Sequence, residues 1–197
     1  MSRLNIRTER LLLRRWRQAD RGPFAEINAD PEVMLYFPAP LSRDESDALV
    51  DRIEAGFSRN SFGLWALEVA TSGEFIGFTG LAVPNFEAAF TPAVEIGWRL
   101  AQAAWGKGYA TEAARAVLGV AFDELGLAEV VSFTSQANTR SRAVMHRIGM
   151  IRDCADDFDH PRLAPGHPLA RHVLYRKPQM IGVFNFPASS WALTSEN

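Results

Sequence analysis

The sequence predicts an α/β (α+β) domain, and three observations carry that expectation. Apolar residues alternate with period two in some short runs and recur at helical spacing in others. Two apolar runs flank the turn Thr71-Ser72-Gly73-Glu74, which makes them a β-hairpin. A third, Val94 to Leu100, runs through a glycine loop into an amphipathic helix. At 197 residues and 47% hydrophobic, the chain is long enough for one well-cored domain and short for two.

The elements follow in order. Leu11 to Trp16 reads as a first strand. Asp20 is placed to cap a helix from Arg21 to about Asn28, with Phe24 and Ile27 inward, and Asp30-Pro31 ends it. Ser42 with Glu45 three residues on is a capping-box pattern for a second helix that buries Leu49, Ile53 and Phe57. Leu64 to Val69 and Phe75 to Val83 form the hairpin. In Val94 to Leu100, the residues Val94, Ile96, Trp98 and Leu100 share one face and Glu95, Gly97 and Arg99 the other. The next helix carries Ala110, Ala114, Val117, Leu118, Ala121 and Leu125 as its apolar stripe, with Glu112, Arg115 and Asp123 opposite. Val130 to Gln136 alternates again, Asn138 opens a fourth helix, and Gly149 is a natural residue to close it. Strands near 151–158 and 171–176 complete the order β-α-α-β-β-β-α-β-α-β-β.

A net charge of −2 offers nucleic acid no general attraction, and no basic run is interleaved with aromatics. The group Arg14, Arg15 and Arg17 reads as a solvated strand edge. One cysteine, Cys154, permits no internal disulfide, and no stretch approaches the length of a membrane span. With no signal-peptide core in the first residues, the expected address is the cytoplasm, without nucleic-acid or membrane partners. His160, His167 and His172 fit no common zinc spacing, so no metal is expected.

The stretch Trp105-Gly106-Lys107-Gly108-Tyr109-Ala110-Thr111 carries the chemistry. Two glycines directly ahead of a helix leave unpaired N–H groups converging on one spot, where the helix dipole adds positive potential. That arrangement is an anion cradle. A P-loop would need glycine at Ala101 and Ser or Thr at Gly108, and a dinucleotide fingerprint would need glycine at Thr111. Neither fits.

Residues 105–110 instead resemble the Gln/Arg-x-x-Gly-x-Gly/Ala loop of the GNAT family of N-acetyltransferases, with Trp105 a departure from its usual first residue. A second landmark, Asn138-Thr139-Arg140-Ser141 with Ile148-Gly149-Met150 closing the helix, is similar to the helix that lies along the cofactor in that family. The terminal patterns look closest to the RimJ/RimL branch. The resemblance spans roughly residues 6–177. It implies a mixed, mostly antiparallel sheet of six to seven strands flanked by about four helices. It also implies a domain over 1–177, leaving 178–197 as an apolar tail able to pack on the domain or on a second subunit, so a homodimer is left open.

What the resemblance implies chemically is direct transfer of an acetyl group from acetyl-CoA to a primary amine, either a protein N-terminus or a small molecule. Acetyl-CoA would lie against Trp105, Gly106, Lys107, Gly108, Tyr109, Ala110 and Thr111, with Asn138 on the pantetheine and Arg147 near the phosphates. Backbone N–H groups at Gly97 and Trp98 would polarise the thioester carbonyl. Glu95 is the general-base candidate, set against a plain ion pair with Arg99. The acid of many relatives is a tyrosine seven residues after the motif asparagine. Here that residue is Met145, which has no proton to give, and Ser141 is the substitute. Trp16, Tyr36, Phe37, Phe62 and Trp65 are either acceptor-pocket lining or core. The rival reading is a non-catalytic acyl-CoA-binding regulatory module, motivated by Met145.

Overall fold

The computed structural model describes residues 5–179. Strands β1 (Ile6–Arg7), β2 (Leu11–Arg14), β3 (Leu64–Val69), β4 (Phe75–Ala82), β5 (Glu95–Leu100), β6 (Glu129–Ser135), β7 (Ile151–Arg152), β8 (Phe158–Asp159) and β9 (Arg171–Pro178) form one sheet. Its order is β1-β2-β3-β4-β5-β6-β9-β7, with β8 also on β9. Every pairing is antiparallel except β5 with β6. Helices α1 (Arg21–Ala29), α2 (Arg43–Asn60), α3 (Tyr109–Gly119) and α4 (Thr139–Arg147) flank it. The nine strands exceed the expected six to seven because three of them are two-residue pieces, which alternation in a sequence cannot register. The expected strand over 151–158 is one such case. A 3-10 turn at Cys154–Asp156 divides it into β7 and β8.

One face of the sheet packs on α3 and α4 through Leu11, Leu13, Leu67, Leu81, Ile96, Ala113, Ala114, Val117 and Met145, all 1% exposed or less. The other face holds Phe24, Ile27, Val33, Val50 and Phe78 beneath α1 and α2. The capping box of α2 forms as its residue types predict. Ser42 Oγ accepts from the Glu45 N–H, and the Glu45 carboxylate accepts from the Ser42 N–H at 2.8 Å. Asn138 Oδ1 likewise accepts from the Ser141 N–H at 3.1 Å at the start of α4.

Two expectations fail for one physical reason. The Asp20 carboxylate does not cap α1, and Arg14 is not a solvated edge residue. Arg14 is 4% exposed and its guanidinium grips Asp20 at 2.7 and 2.8 Å and Glu68 at 2.7 Å. A buried cation needs a counter-charge, and Asp20 serves Arg14 rather than the helix. Arg17 and Arg15 are also paired, with Glu68 and Glu54. Leu49 is only half-buried, because it faces the cleft. No helix among the described residues is long and apolar enough to cross a membrane. The expectations for residues 180–197 lie outside the described residues.

Candidate active site

The parallel ladder between β5 and β6 is a single bridge, Glu95 with Val131. Beyond it the strands diverge, and a cleft of about 1520 Å³ opens between them. Val131 N–H donates to the Val94 carbonyl, so strand alternation directs the backbone groups of Trp98 and Leu100 toward the opening as well. Gly97 faces the other way, its carbonyl accepting from Thr79 Oγ1 at 2.8 Å on β4. Of the two expected carbonyl-polarising N–H groups, therefore, Trp98 is positioned and Gly97 is not.

The glycine loop stands at one end of this cleft. Gly106 and Gly108 have φ of 74° and 81°, the left-handed region that glycine enters without a Cβ penalty, and Gly108 is the N-cap of α3. The N–H groups from Gly106 to Thr111 donate to no acceptor among the described residues. Six consecutive unsatisfied donors at a helix N-terminus fit a pyrophosphate. Gly106, Gly108, Tyr109, Ala110 and Thr111 line the cleft, whereas the Lys107 side chain is exposed and its carbonyl accepts from Arg10 at 2.9 Å.

Trp105 anchors the loop through its side chain. Its indole N–H donates to the Leu100 carbonyl at 3.0 Å, and the Arg140 guanidinium lies 4.0 Å over its ring. A second anchor was not legible. Glu112, expected on the solvated face of α3, accepts from Thr8 Oγ1 at 2.6 Å, from the Arg10 N–H at 2.9 Å and from Arg10 Nε at 2.6 Å. Burial works against its charge, but these donors outweigh it and hold the carboxyl below its ordinary pKa. The partners are more than a hundred residues apart in sequence, so no local signal marks them.

Glu95, at the start of β5, lines the cleft. The ion pair with Arg99 does not form. Arg99 Nη1 donates to Asn28 Oδ1 at 2.5 Å, and Glu95 has no hydrogen bond or ion pair among the described residues. Half-buried in the cleft wall without a counter-charge, its carboxyl is pushed up to about 8 by desolvation. Across the opening, Trp98 Nε1 donates to Ser141 Oγ at 3.0 Å, which leaves the serine O–H without an acceptor among the described residues. Asn138, which caps α4 and donates to Thr134 Oγ1 at 2.9 Å, orients that turn and also lines the cleft. Arg147 lines the same wall and is exposed. Met145 is buried beneath it.

The far half of the cleft is aromatic. Tyr36 and Phe37 line it, whereas Trp16, Phe62 and Trp65 belong to the core. Opposite stand Phe133, His160 and His172, part of a cluster with Phe86, Phe90 and Phe158. Burial lowers the pKa of both histidines. Among the described residues, no group of three or more His, Cys, Asp and Glu side chains is placed to hold a metal.

Residues 10–151 match the family model described as the acetyltransferase (GNAT) domain. The chain belongs to the GNAT family. A 34% identical relative from Aspergillus fumigatus, the FsC-acetyl coenzyme A-N(2)-transacetylase, aligns over 84% of this chain and 77% of its own. The crystal structure of an acetyltransferase from Agrobacterium tumefaciens superimposes with a TM-score of 0.71 at 30% identity, covering 89% of this chain and 94% of that one. A spermidine N-acetyltransferase from Vibrio cholerae, solved with CoA and spermine, shares the fold at 19% identity and a TM-score of 0.68. GNAT acetyltransferases use acetyl-CoA as cosubstrate, and this GNAT chain is an acetyl-CoA-dependent N-acetyltransferase. The family match and the relatives named acetyltransferases favour an enzyme over the non-catalytic module.

Proposed function

We propose that this enzyme moves the acetyl group of acetyl-CoA to a primary amine held over β5, by direct transfer in a ternary complex. Glu95 acts as general base and Ser141 as general acid. The observation that carries the reading is the unpaired Glu95 carboxyl at the fork of β5 and β6, its pKa near 8. A base works best when its pKa lies near the working pH, and an acceptor ammonium needs such a base to become nucleophilic. The ammonium gives its proton to Glu95, directly or through a water, and the neutral nitrogen attacks the thioester carbonyl. The Trp98 N–H stabilises the oxyanion, the carbon–sulfur bond breaks, and the thiolate takes the Ser141 hydroxyl proton while the surplus proton on the attacking nitrogen passes to the serine oxygen, which leaves a neutral amide and a free thiol.

The pyrophosphate is assigned to the N–H groups of residues 106–111, with Arg147 beside it and Asn138 toward the pantetheine. The acceptor is assigned to the aromatic half. A small-molecule amine is favoured over a protein N-terminus by the transacetylase relative, whose name specifies an N(2) position. The RimJ/RimL-like terminal patterns are compatible with either acceptor. The catalytic domain is taken to span 1–177, and the single cysteine suits a cytoplasmic enzyme. The test is CoA release with a panel of amines and peptide N-termini, by wild type and Glu95→Gln across pH. Wild-type kcat/KM should rise with pH toward a plateau above about 8, and Glu95→Gln should lose both that limb and most of the rate. Equal rates for the two proteins would overturn Glu95 as the base.

A further inference from the structure

We propose that Arg99 is an anion subsite in the acceptor half of the cleft, so that the amine acetylated at Glu95 carries a carboxylate at its other end. The inference rests on the acyl-transfer reading of this cleft and names its substrate class. Most other buried or half-buried arginines have carboxylate partners, among them Arg14 with Asp20 and Glu68, Arg152 with Asp157, and Arg176 with Asp156 and Glu129; Arg142, outside the acceptor half, instead donates to the Gln136 carbonyl. Arg99 has none among the described residues. Its protein contacts are the Asn28 carbonyl at 2.5 Å and the rings of Phe37 and Phe78, whose centroids lie 4.2 and 5.6 Å from the guanidinium carbon. Nε is buried with no hydrogen-bond partner, and Nη2 bonds to no described residue.

Leaving a desolvated cation without a counter-charge is costly, and such costs are tolerated where a ligand supplies the missing group. Burial brings the guanidinium down to about 10, which still leaves it charged at neutral pH. The charge is also held still. Asn28, fully buried, donates to Ser46 Oγ at 2.8 Å, so α1 and α2 together fix the oxygen that orients Arg99. Aromatic faces steady the cation without neutralising it.

Geometry links this charge to the reacting centre. Arg99 and Glu95 share one face of β5, four residues apart, or about 13 Å along a strand. Between them Gly97 presents no side chain, and a Cβ placed there would touch only Glu95 Oε1, at 3.8 Å. The strand thus carries a base at one end, an open floor, and an unpaired cation at the other. A molecule with an amine and a carboxylate separated by a short chain matches all three.

The experiment uses a homologous series of ω-amino carboxylates, each paired with its carboxamide. CoA release is measured with wild type, Arg99→Gln and Arg99→Lys, alongside calorimetric binding of the same compounds to CoA-saturated protein. Wild type should prefer the carboxylate at least tenfold in kcat/KM at the best chain length. Arg99→Gln should narrow that ratio to within twofold, chiefly through KM, and Arg99→Lys, which keeps the charge, should retain part of it. Equal use of both members by wild type, or a preference that survives Arg99→Gln, overturns the subsite. Should Arg99→Gln not fold, a wild-type preference left undiminished in Arg99→Lys overturns the demand for a guanidinium at this position. Carboxylate binding that depends on Arg99 without CoA release from any amine upholds the subsite and defeats the acyl-transfer reading. Amine turnover without carboxylate preference does the reverse.

Discussion

On the proposed reading, the two halves of the cleft recognise their ligands by different means. At the loop end the ligand meets backbone: the N–H groups of 106–111, pointed by two positive-φ glycines and a helix start. At the acceptor end it meets side chains: Glu95, Arg99, Phe37, Phe133, His160 and His172, drawn from five separate stretches of chain. Backbone recognition demands particular residue types at fixed spacing, so it leaves a sequence pattern. Side-chain recognition demands only that distant residues meet, and leaves none.

This contrast is open to attack by substitution. The largest effect is expected at Glu95, where Gln keeps the shape but cannot take a proton, and kcat should fall by about 10²–10⁴. A steady-state CoA-release assay reads this. At the loop end, Gly108→Val should weaken acetyl-CoA binding at least a hundredfold by calorimetry while circular dichroism remains native. A valine at φ 81° is strained, and its bulk would turn toward Arg10. Unchanged affinity would contradict backbone recognition. Ser141→Ala should lower kcat by roughly tenfold with little change in KM, because it removes a proton donor and leaves the binding wall intact.

Smaller effects test the supports. Glu112→Gln should weaken CoA binding several-fold and destabilise the fold by about 1–2 kcal/mol in urea titration, since it loosens the Thr8 and Arg10 clamp. Its folded pKa is depressed, so the clamp's contribution is present above the ordinary carboxylate pKa and is lost as the pH falls through the lower folded value. Glu95 has the opposite sign. Its folded pKa is raised, the folded state binds the extra proton between about 4.5 and 8, and stability declines as pH rises through that window. Glu95→Gln should therefore be more stable than wild type above pH 8, by roughly 1–3 kcal/mol.

The same contrast explains what the sequence disclosed. Element types and order, the Ser42–Glu45 box, the Asn138 cap and the glycine loop at the start of α3 were legible because each rests on neighbours in the chain. Glu95 was legible as a site but not in its environment, since alternation shows that it shares a face with Arg99 and not whether the two touch. Arg99 turns instead to Asn28, 71 residues away. Trp105 read as a departure, and its reason lies in two contacts, with Leu100 and Arg140, that spacing does not announce. The Asp20 carboxylate satisfied a local capping rule on paper, but the buried charge of Arg14 had the stronger claim on it.

The central claim is that Glu95 is a solitary, half-buried carboxyl poised as a base. It is tested most directly by carbon-13 NMR of the protein labelled at the glutamate side-chain carboxyl, with the Glu95 resonance assigned by its loss in Glu95→Gln. The account predicts one glutamate resonance that titrates near pH 8, apart from the rest. A Glu95 midpoint at the ordinary 4.5 would contradict it.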